Sequence, residues 1–285
     1  MRIAIIGAGK VGIALGHVLK KKGFDVVAVA SRRQSSLDTA KAYIGADCLF
    51  TLDNRQAVET ADVVAVTTQD REIKNVAAQV AAAPERLDGK LFFHTSGAHA
   101  SSELFPLAIV GASLGSLHPL QTFPDIDAGI RVLPDTYIFI EGDDKALPVL
   151  GEIASAIGAE AVVIGSENKV LYHLSAVFVC NLLASLLYAG EGIMKRIDID
   201  LKPFYPIIRA TLANIETRGP LLSLTGPVVR GDAGTVSSHI DAIGDMPLHE
   251  RVYKDLSLVA LEMAQQRGTL TDEQIAALKG ILEQG

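Results

Sequence analysis

The stretch RIAIIGAGKVG, Arg2 to Gly12, constrains the fold more than any other part of the chain. Its apolar run reads as a buried strand, and the helical pattern that follows it, VGIALGHVLKKKG, stops at Gly23. Between them lie Gly7, Gly9 and Gly12. In a strand–loop–helix setting the first glycine permits a tight turn, the second lets a pyrophosphate approach the backbone, and the third lets the helix pack on the strand. The helix N-terminus adds free N–H groups and partial positive charge, which suit phosphate. Gly7, Ala8, Gly9, Lys10, Val11 and Gly12 are therefore candidate cofactor-binding residues; the plainer alternative is a strand–helix turn with no ligand.

The second strand, DVVAVA, leads into ASRRQSS. A site for NAD places an acid there to bind the ribose hydroxyls. No acid lies between Val26 and Leu37; Ser31, Arg32 and Arg33 stand in its place. Two guanidiniums and a hydroxyl suit a 2′-phosphate, so the cofactor expected is NADP(H).

Strand and helix patterns keep alternating through SSLDTAKAYIG, ADVVAVTT, REIKNVAAQVAAA, KLFFHTSG, ASLGSLHPL, TYIFIEG and EAVVIG, with Asp70 placed to cap one helix. This alternation predicts an α/β fold with a parallel sheet. After Ser166 the pattern is helical only: 167–195, then around 201–218, 232–243, 246–267 and 271–283. Asp232 is placed to cap one helix, and Thr271 with Gln274 forms a capping box for the last. The chain thus reads as an α/β dinucleotide-binding domain, 1–166, and an all-α domain for substrate binding and dimerisation, 167–285.

Nicotinamide belongs beyond the carboxyl ends of the strands, so polar groups there are the candidates for chemistry. Thr67 and Thr68 end one strand and can line the cofactor. Ser96, beside Gly97, can present a hydroxyl, while His94 lies deeper in its strand and reads as structural. His118, in GSLHPLQTF, has the right ordinary pKa for proton transfer, and Pro119 biases it toward an extended conformation. Lys169 and His173 are four apart on one helix face; Asn181 is too far along that helix to meet Lys169 at one small atom. In TGPVVRGDAGTVSSHI, Arg230 can clamp an anion and Thr235 can bind substrate; capping with surface charge is the simpler reading of that segment.

Composition narrows the classes. The chain has 285 residues, 49% hydrophobic and 21% charged, which suits a packed core rather than disorder. A net charge of −7 argues against a general nucleic-acid binder. Cys48 and Cys180 have no metal-ligand spacing, so neither a zinc site nor a disulfide framework is expected. The N-terminal sequence lacks a signal-peptide pattern, making the cytoplasm the expected compartment. The segment 170–190 is apolar enough to resemble a membrane span, but it contains His173 and Asn181 and lacks a flanking basic cluster, so a buried core or dimer helix is expected instead.

Together, GAGKVG, HTSG, GSLHPLQTF, YHLSAVFVCN and TGPVVRGDAGTVSSHI resemble the Rossmann-like NADP oxidoreductases whose C-terminal domain is the domain of unknown function 2520. The resemblance spans essentially the whole chain. It implies a Rossmann-type domain plus an all-α domain, similar to the 6-phosphogluconate and β-hydroxyacid dehydrogenases and pyrroline-5-carboxylate reductase, with dimerisation through the helical domain. GSLHPL looks like the HPM/HPL segment of prephenate dehydrogenases, which implies a proton-transfer role for His118. Lys169 stands where β-hydroxyacid dehydrogenases carry a catalytic lysine; their asparagine four residues on is His173 here. The expectation is an NADP(H)-dependent oxidoreductase acting on a small polar, anionic substrate, with His118 handling the proton assisted by Lys169 or His173, and Ser96 a further candidate catalytic residue. A sensor or scaffold that binds NADP without turnover is the competing reading.

Overall fold

The computed structural model describes residues 1–283. Two compact units divide it, residues 1–180 and the residues from 181 onward.

In the first unit β1 (Arg2–Ile6), α1 (Lys10–Lys21), β2 (Asp25–Ala30), α2 (Gln34–Ile44), β3 (Leu49–Thr51), α3 (Asn54–Glu59), β4 (Val63–Val66), α4 (Asp70–Ala81), β5 (Leu91–His94) and α5 (Phe105–Ile109) alternate along the chain. They are followed by β6 (Ser113–Pro119), α6 (Ile126–Val132), β7 (Tyr137–Gly142), α7 (Ala146–Ile157) and β8 (Glu160–Val163). The eight strands form one sheet in the order β3-β2-β1-β4-β5-β6-β7-β8.

Period-two alternation explains why both faces are covered. Ile3 and Ile5 of β1 join a core with Ile13 and Leu15 of α1, Leu37 of α2, and Leu150 and Ile153 of α7. Ala4 and Ile6 point the other way, into a core with Val58 of α3, Ile73 and Val80 of α4, and Leu107 of α5. Each such buried aliphatic side chain contributes about 1.5–3 kcal/mol. Strands buried on both faces read as continuous apolar runs, which is why VVAV and LFFH were legible as strands.

Two features depart from the sequence expectation. The strand β3 has only three residues at the sheet edge, too few for periodicity to reveal it. The pair β6 and β7 is antiparallel, so the sheet is not wholly parallel; the chain leaves β6 at Pro119 and enters β7 at Tyr137 on the same side of the sheet. His118 consequently faces Phe139 across the ladder, and Ser116 faces Glu141.

Beyond β8 come α8 (Lys169–Ala176), a π-helical segment (Val177–Asn181) and α9 (Leu182–Met194). The second unit continues with α10 (Tyr205–Ser223), α11 (Ala233–Ala242), α12 (Pro247–Gln266) and α13 (Asp272–Leu282). Asp232 caps α11 through the Thr235 N–H, and the capping box of Thr271 and Gln274 opens α13. Val228, Val236, Leu261, Leu278 and Leu282 form this unit's core.

The apolar stretch within 166–197 is not a core helix. It has a mean hydropathy of 1.9 and is long enough to cross a membrane by length and composition, yet its most apolar window has no buried share. Phe178, Val179 and Tyr188 are 62%, 73% and 75% exposed. Of the two expected alternatives, a helix buried in the chain's own core is thus not seen among the described residues, whose packing leaves its apolar face bare, while the dimer-helix alternative is left untouched.

Candidate active site

The glycine loop takes the form its sequence requires. Gly7 has φ +114, a conformation that L side chains rarely adopt, and its N–H donates to the Ala30 carbonyl at 2.8 Å. A Cβ on Gly12 would fall 2.2 Å from the Gly7 carbonyl oxygen and 2.3 Å from Thr67 Oγ1, so only glycine lets α1 pack so close to the loop. At Gly9 a Cβ would meet nothing within 4 Å, which leaves the backbone open to a ligand. The first-turn N–H groups of Lys10, Val11 and Gly12 have no intrahelical acceptor.

This loop borders a cleft of about 760 Å³. Gly7, Ala8 and Gly9 line it from β1, Ser31, Arg32 and Arg33 from the end of β2, and Thr67 and Thr68 from the end of β4. The Thr68 hydroxyl is buried in the cleft wall with no hydrogen-bond partner among the described residues. A buried orphan hydroxyl is costly unless a ligand satisfies it. The open backbone at Gly9, the two guanidiniums and this hydroxyl fit a phosphorylated dinucleotide.

Some expected cofactor residues act differently. Thr67 lines the cleft as expected, but its hydroxyl is spent on the Gly7 carbonyl at 2.7 Å, so it also braces the loop. Lys10 sends its ammonium to the Pro124 carbonyl at 2.6 Å. Val11 is half-buried in the first turn of α1. Arg32 lies 3.3 Å from Glu72, an acid on the cleft wall that sequence reading missed, as it missed Arg71.

The polar groups expected to carry chemistry converge at the carboxyl ends of β5 and β6. A Cβ on Gly97 would fall 2.8 Å from Cε1 and Nε2 of His118 and 2.8 Å from Cδ2 of His173. Only a hydrogen fits between that backbone and the two imidazoles. The ring centroids of His118 and His173 are 6.4 Å apart. His118 Nδ1 lies 2.7 Å from the Tyr172 hydroxyl. Burial, aided by the charges of Lys169 and His173, lowers the His118 pKa to about 4.

Beneath these rings is a buried polar network. Lys169 is 1% exposed, and its ammonium donates to the Ser96 carbonyl at 3.0 Å and to Ser116 Oγ at 2.9 Å. Burial lowers its pKa to about 8, against the opposing pull of Glu141 and Asp70. Glu141, buried opposite Ser116, accepts from the Ser101 N–H, from Ser101 Oγ at 3.1 Å and from Ser166 Oγ at 2.7 Å. Ser166 precedes α8, so the carboxylate ties that helix's start to the sheet.

Lys169 therefore holds the Ser96–Gly97 turn from below instead of facing open space. Ser96 is likewise corrected: its hydroxyl donates to Asp70 at 2.8 Å and accepts from the His99 N–H at 3.2 Å, so it fixes the turn. Asp70 makes that bond rather than the expected helix cap, a position taken by Gln69. His94 is structural as expected: fully buried, it accepts from the Ser96 N–H at Nδ1, which leaves Nε2 to donate to the Ala100 carbonyl. Tyr172 and Glu141 were missed by sequence reading, and Asp70 was read only as a helix cap. The signals were Tyr172's place between Lys169 and His173 on one helix face, and an acid inside the apolar strand YIFIEG.

Arg230 and Thr235 lie in the second unit. Thr235 gives its hydroxyl to Asp232 at 2.6 Å, which makes it part of the cap rather than a free substrate ligand. The Arg230 carbonyl accepts from Gln274.

Comparison with known proteins agrees with this architecture. Residues 1–119 match a Rossmann-like domain, and residues 136–260 match a domain of unknown function, DUF2520. No curated protein matches the chain. Among solved structures, a presumed NADP oxidoreductase from Bacteroides fragilis is 24% identical with a TM-score of 0.74, covering 92% of this chain and 98% of its own. A protein from Thermotoga maritima is 26% identical with a TM-score of 0.72, over 93% and 99%. A reductive aminase from Aspergillus terreus, in complex with NADPH and ethyl-5-oxohexanoate, is 16% identical with a TM-score of 0.62, over 99% and 92%. The chain thus joins a Rossmann-like domain to a DUF2520 domain, the pairing its motifs resemble.

Proposed function

We propose that the chain is an NADP(H)-dependent oxidoreductase that acts on a small polar carbonyl, imine or alcohol. The observation that carries this reading is the arrangement along one edge of the sheet. A glycine loop, Ser31, Arg32, Arg33 and the orphan Thr68 hydroxyl lie at the ends of β1, β2 and β4; two imidazoles meet at Gly97 by the ends of β5 and β6. The reductive aminase fold neighbour, which was crystallised with NADPH, supports the cofactor assignment. Bound NADP(H) would supply or take up the hydride.

The chain's own residues do the rest. Gly7 and Gly9 open the backbone to the pyrophosphate, and Ser31, Arg32 and Arg33 hold the 2′-phosphate. His118 transfers the proton at Nε2, with His173 beside it. Lys169, Ser96, Asp70 and Glu141 hold the turn that sets Gly97 against the rings. A sensor would need no such pair of imidazoles, so the enzyme reading is preferred over NADP binding without turnover.

The anionic character proposed for the substrate rests on Arg230, whose guanidinium suits a carboxylate or phosphate. The bare apolar face of 170–190 supports a homodimer rather than a membrane span, because the helix begins with an ammonium bonded to the sheet unit. The proposed compartment is the cytoplasm.

The test begins with binding. NADPH and NADH are titrated by cofactor fluorescence, where the lack of Trp keeps protein emission small. Oxo-acids, imines and semialdehydes are then screened for NADPH consumption. With an active substrate, His118→Ala should cut turnover and leave NADPH affinity nearly unchanged. Equal loss of both would make His118 structural, and tighter binding of NADH would overturn the cofactor assignment. Light scattering without detergent should give twice the chain mass; aggregation that only detergent relieves would favour membrane attachment.

A further inference from the structure

We infer that Tyr172 is a positioning residue that fixes the tautomer of His118: its hydroxyl donates to Nδ1, so the ring carries its one hydrogen on Nε2, beside Gly97. The tautomer rests on the hydrogen-bond geometry and on burial, while its catalytic meaning rests on the function proposed above.

The Tyr172 hydroxyl is 2.7 Å from His118 Nδ1, and the two rings meet edge to face at 79° with centroids 5.6 Å apart. A second contact holds the phenol in place. Its ring lies 4.1 Å from that of Phe139, tilted by 30°, and Phe139 is the cross-strand partner of His118. The strand that carries His118 and its antiparallel neighbour thus form the seat for Tyr172. Helical spacing sets Lys169 and Tyr172 three apart, so the ammonium bonded to Ser96 and Ser116 anchors the turn from which the phenol projects.

Counting hydrogens favours one direction for the bond. A neutral imidazole has one N–H and one acceptor nitrogen. If Nδ1 donated, the phenol hydrogen would have no other protein acceptor among the described residues, so this half-buried hydroxyl would have to turn to solvent, and Nε2 would face Gly97 as a bare lone pair. If the phenol donates, its hydrogen is satisfied and Nε2–H is the one donor left for a ligand. Burial favours this arrangement twice over: it raises the Tyr172 pKa, which keeps the phenol protonated, and it lowers that of His118, which keeps the ring neutral. The group offered to a substrate oxygen or nitrogen is then a neutral imidazole N–H, held in that tautomer by the phenol behind it.

Nitrogen NMR on the full-length, ¹⁵N-histidine-labelled chain tests this without any substrate. The His118 signals are identified by their loss in His118→Gln. The expected wild-type pattern is a protonated Nε2 and an acceptor-type Nδ1 near neutral pH. In Tyr172→Phe, which keeps the ring against Phe139, the Nδ1–H tautomer should rise to at least a third of the population. A wild-type spectrum showing Nδ1–H would overturn the inference even if the variant failed to fold, and so would an unchanged pattern in the variant. Turnover of His118→Ala addresses the enzyme reading separately, so either idea can fail while the other stands. If both hold, Tyr172→Phe should lower kcat about tenfold with little change in NADPH affinity.

Discussion

Acid should loosen the first unit through His94. The ring is fully buried, accepting from the Ser96 N–H at 3.1 Å and donating to the Ala100 carbonyl at 2.9 Å. A second proton would turn Nδ1 into a donor aimed at a donor. Burial, the largest cause, lowers the folded-state pKa from 6.5 to about 4, with Lys169 adding to it. Between those values the unfolded chain binds more protons than the folded one, so stability rises with pH across that window. At ~1.4 kcal/mol per unit, the shift amounts to ~3 kcal/mol, present above pH 6.5 and lost as the pH falls toward 4. The variant His94→Gln should be less stable at pH 7 by about 1–2 kcal/mol, the cost of an imperfectly replaced hydrogen bond. It should also lack the slope, so the gap closes or reverses near pH 4.5. Urea unfolding at several pH values, paired with amide exchange of the β5 peptide, would follow this unit specifically. A gap that stays constant from pH 7 to pH 4.5 would refute the reasoning, because nothing else about the site differs between the two chains.

Two further substitutions probe the two halves of the site. Gly97→Ala places a methyl 2.8 Å from both imidazoles and should reduce turnover at least tenfold while NADPH affinity, measured by fluorescence, stays within about twofold. Removing Arg32 and Arg33 together should weaken NADPH binding about 100-fold or more and leave NADH nearly unaffected, since charge-assisted bonds to a 2′-phosphate are worth about 1.5–3 kcal/mol each. The opposite sign is expected for Glu72→Gln, which frees Arg32 from its 3.3 Å ion pair and should tighten NADPH binding by up to about fivefold, the worth of an exposed pair.

The sequence was legible wherever one residue's chemistry had one structural solution. Gly7, Gly12 and the apolar run before them have few alternatives, and the strand pattern from β4 to β6 was plain because those strands are buried on both faces. Side-chain partners were not legible, because they depend on contacts between distant segments. Lys169 reaches Ser116 across 53 residues, and Ser96 reaches Asp70 across 26. A lysine at a helix start reads equally as solvated or catalytic until the sheet beneath it is known. Glu141 carried a better hint, since a carboxylate within an apolar strand must be paired when buried. The antiparallel turn of β7 left no mark of its own, yet it brings Phe139 beside His118 and Glu141 beside Ser116.

The charges near Gly97 also set the pH profile expected of turnover. Lys169 is engaged by the Ser96 carbonyl, and His118 is neutral above about pH 4. An ordinary histidine acid would lose activity as pH rises through 6.5. Here the neutral ring is the working form, so kcat should be flat from about pH 5.5 to 7.5, with an acid limb nearer pH 4 as the ring takes a second proton. The alkaline limb belongs to Lys169, whose pKa of about 8 means that higher pH removes the charge holding the Ser96 carbonyl. Lys169→Met should therefore lower kcat at every pH and abolish that upper limb, while the acid limb moves up because a nearby positive charge no longer opposes protonation of His118. An acid limb that stays fixed in Lys169→Met would mean that the Lys169 charge does not set the protonation of His118.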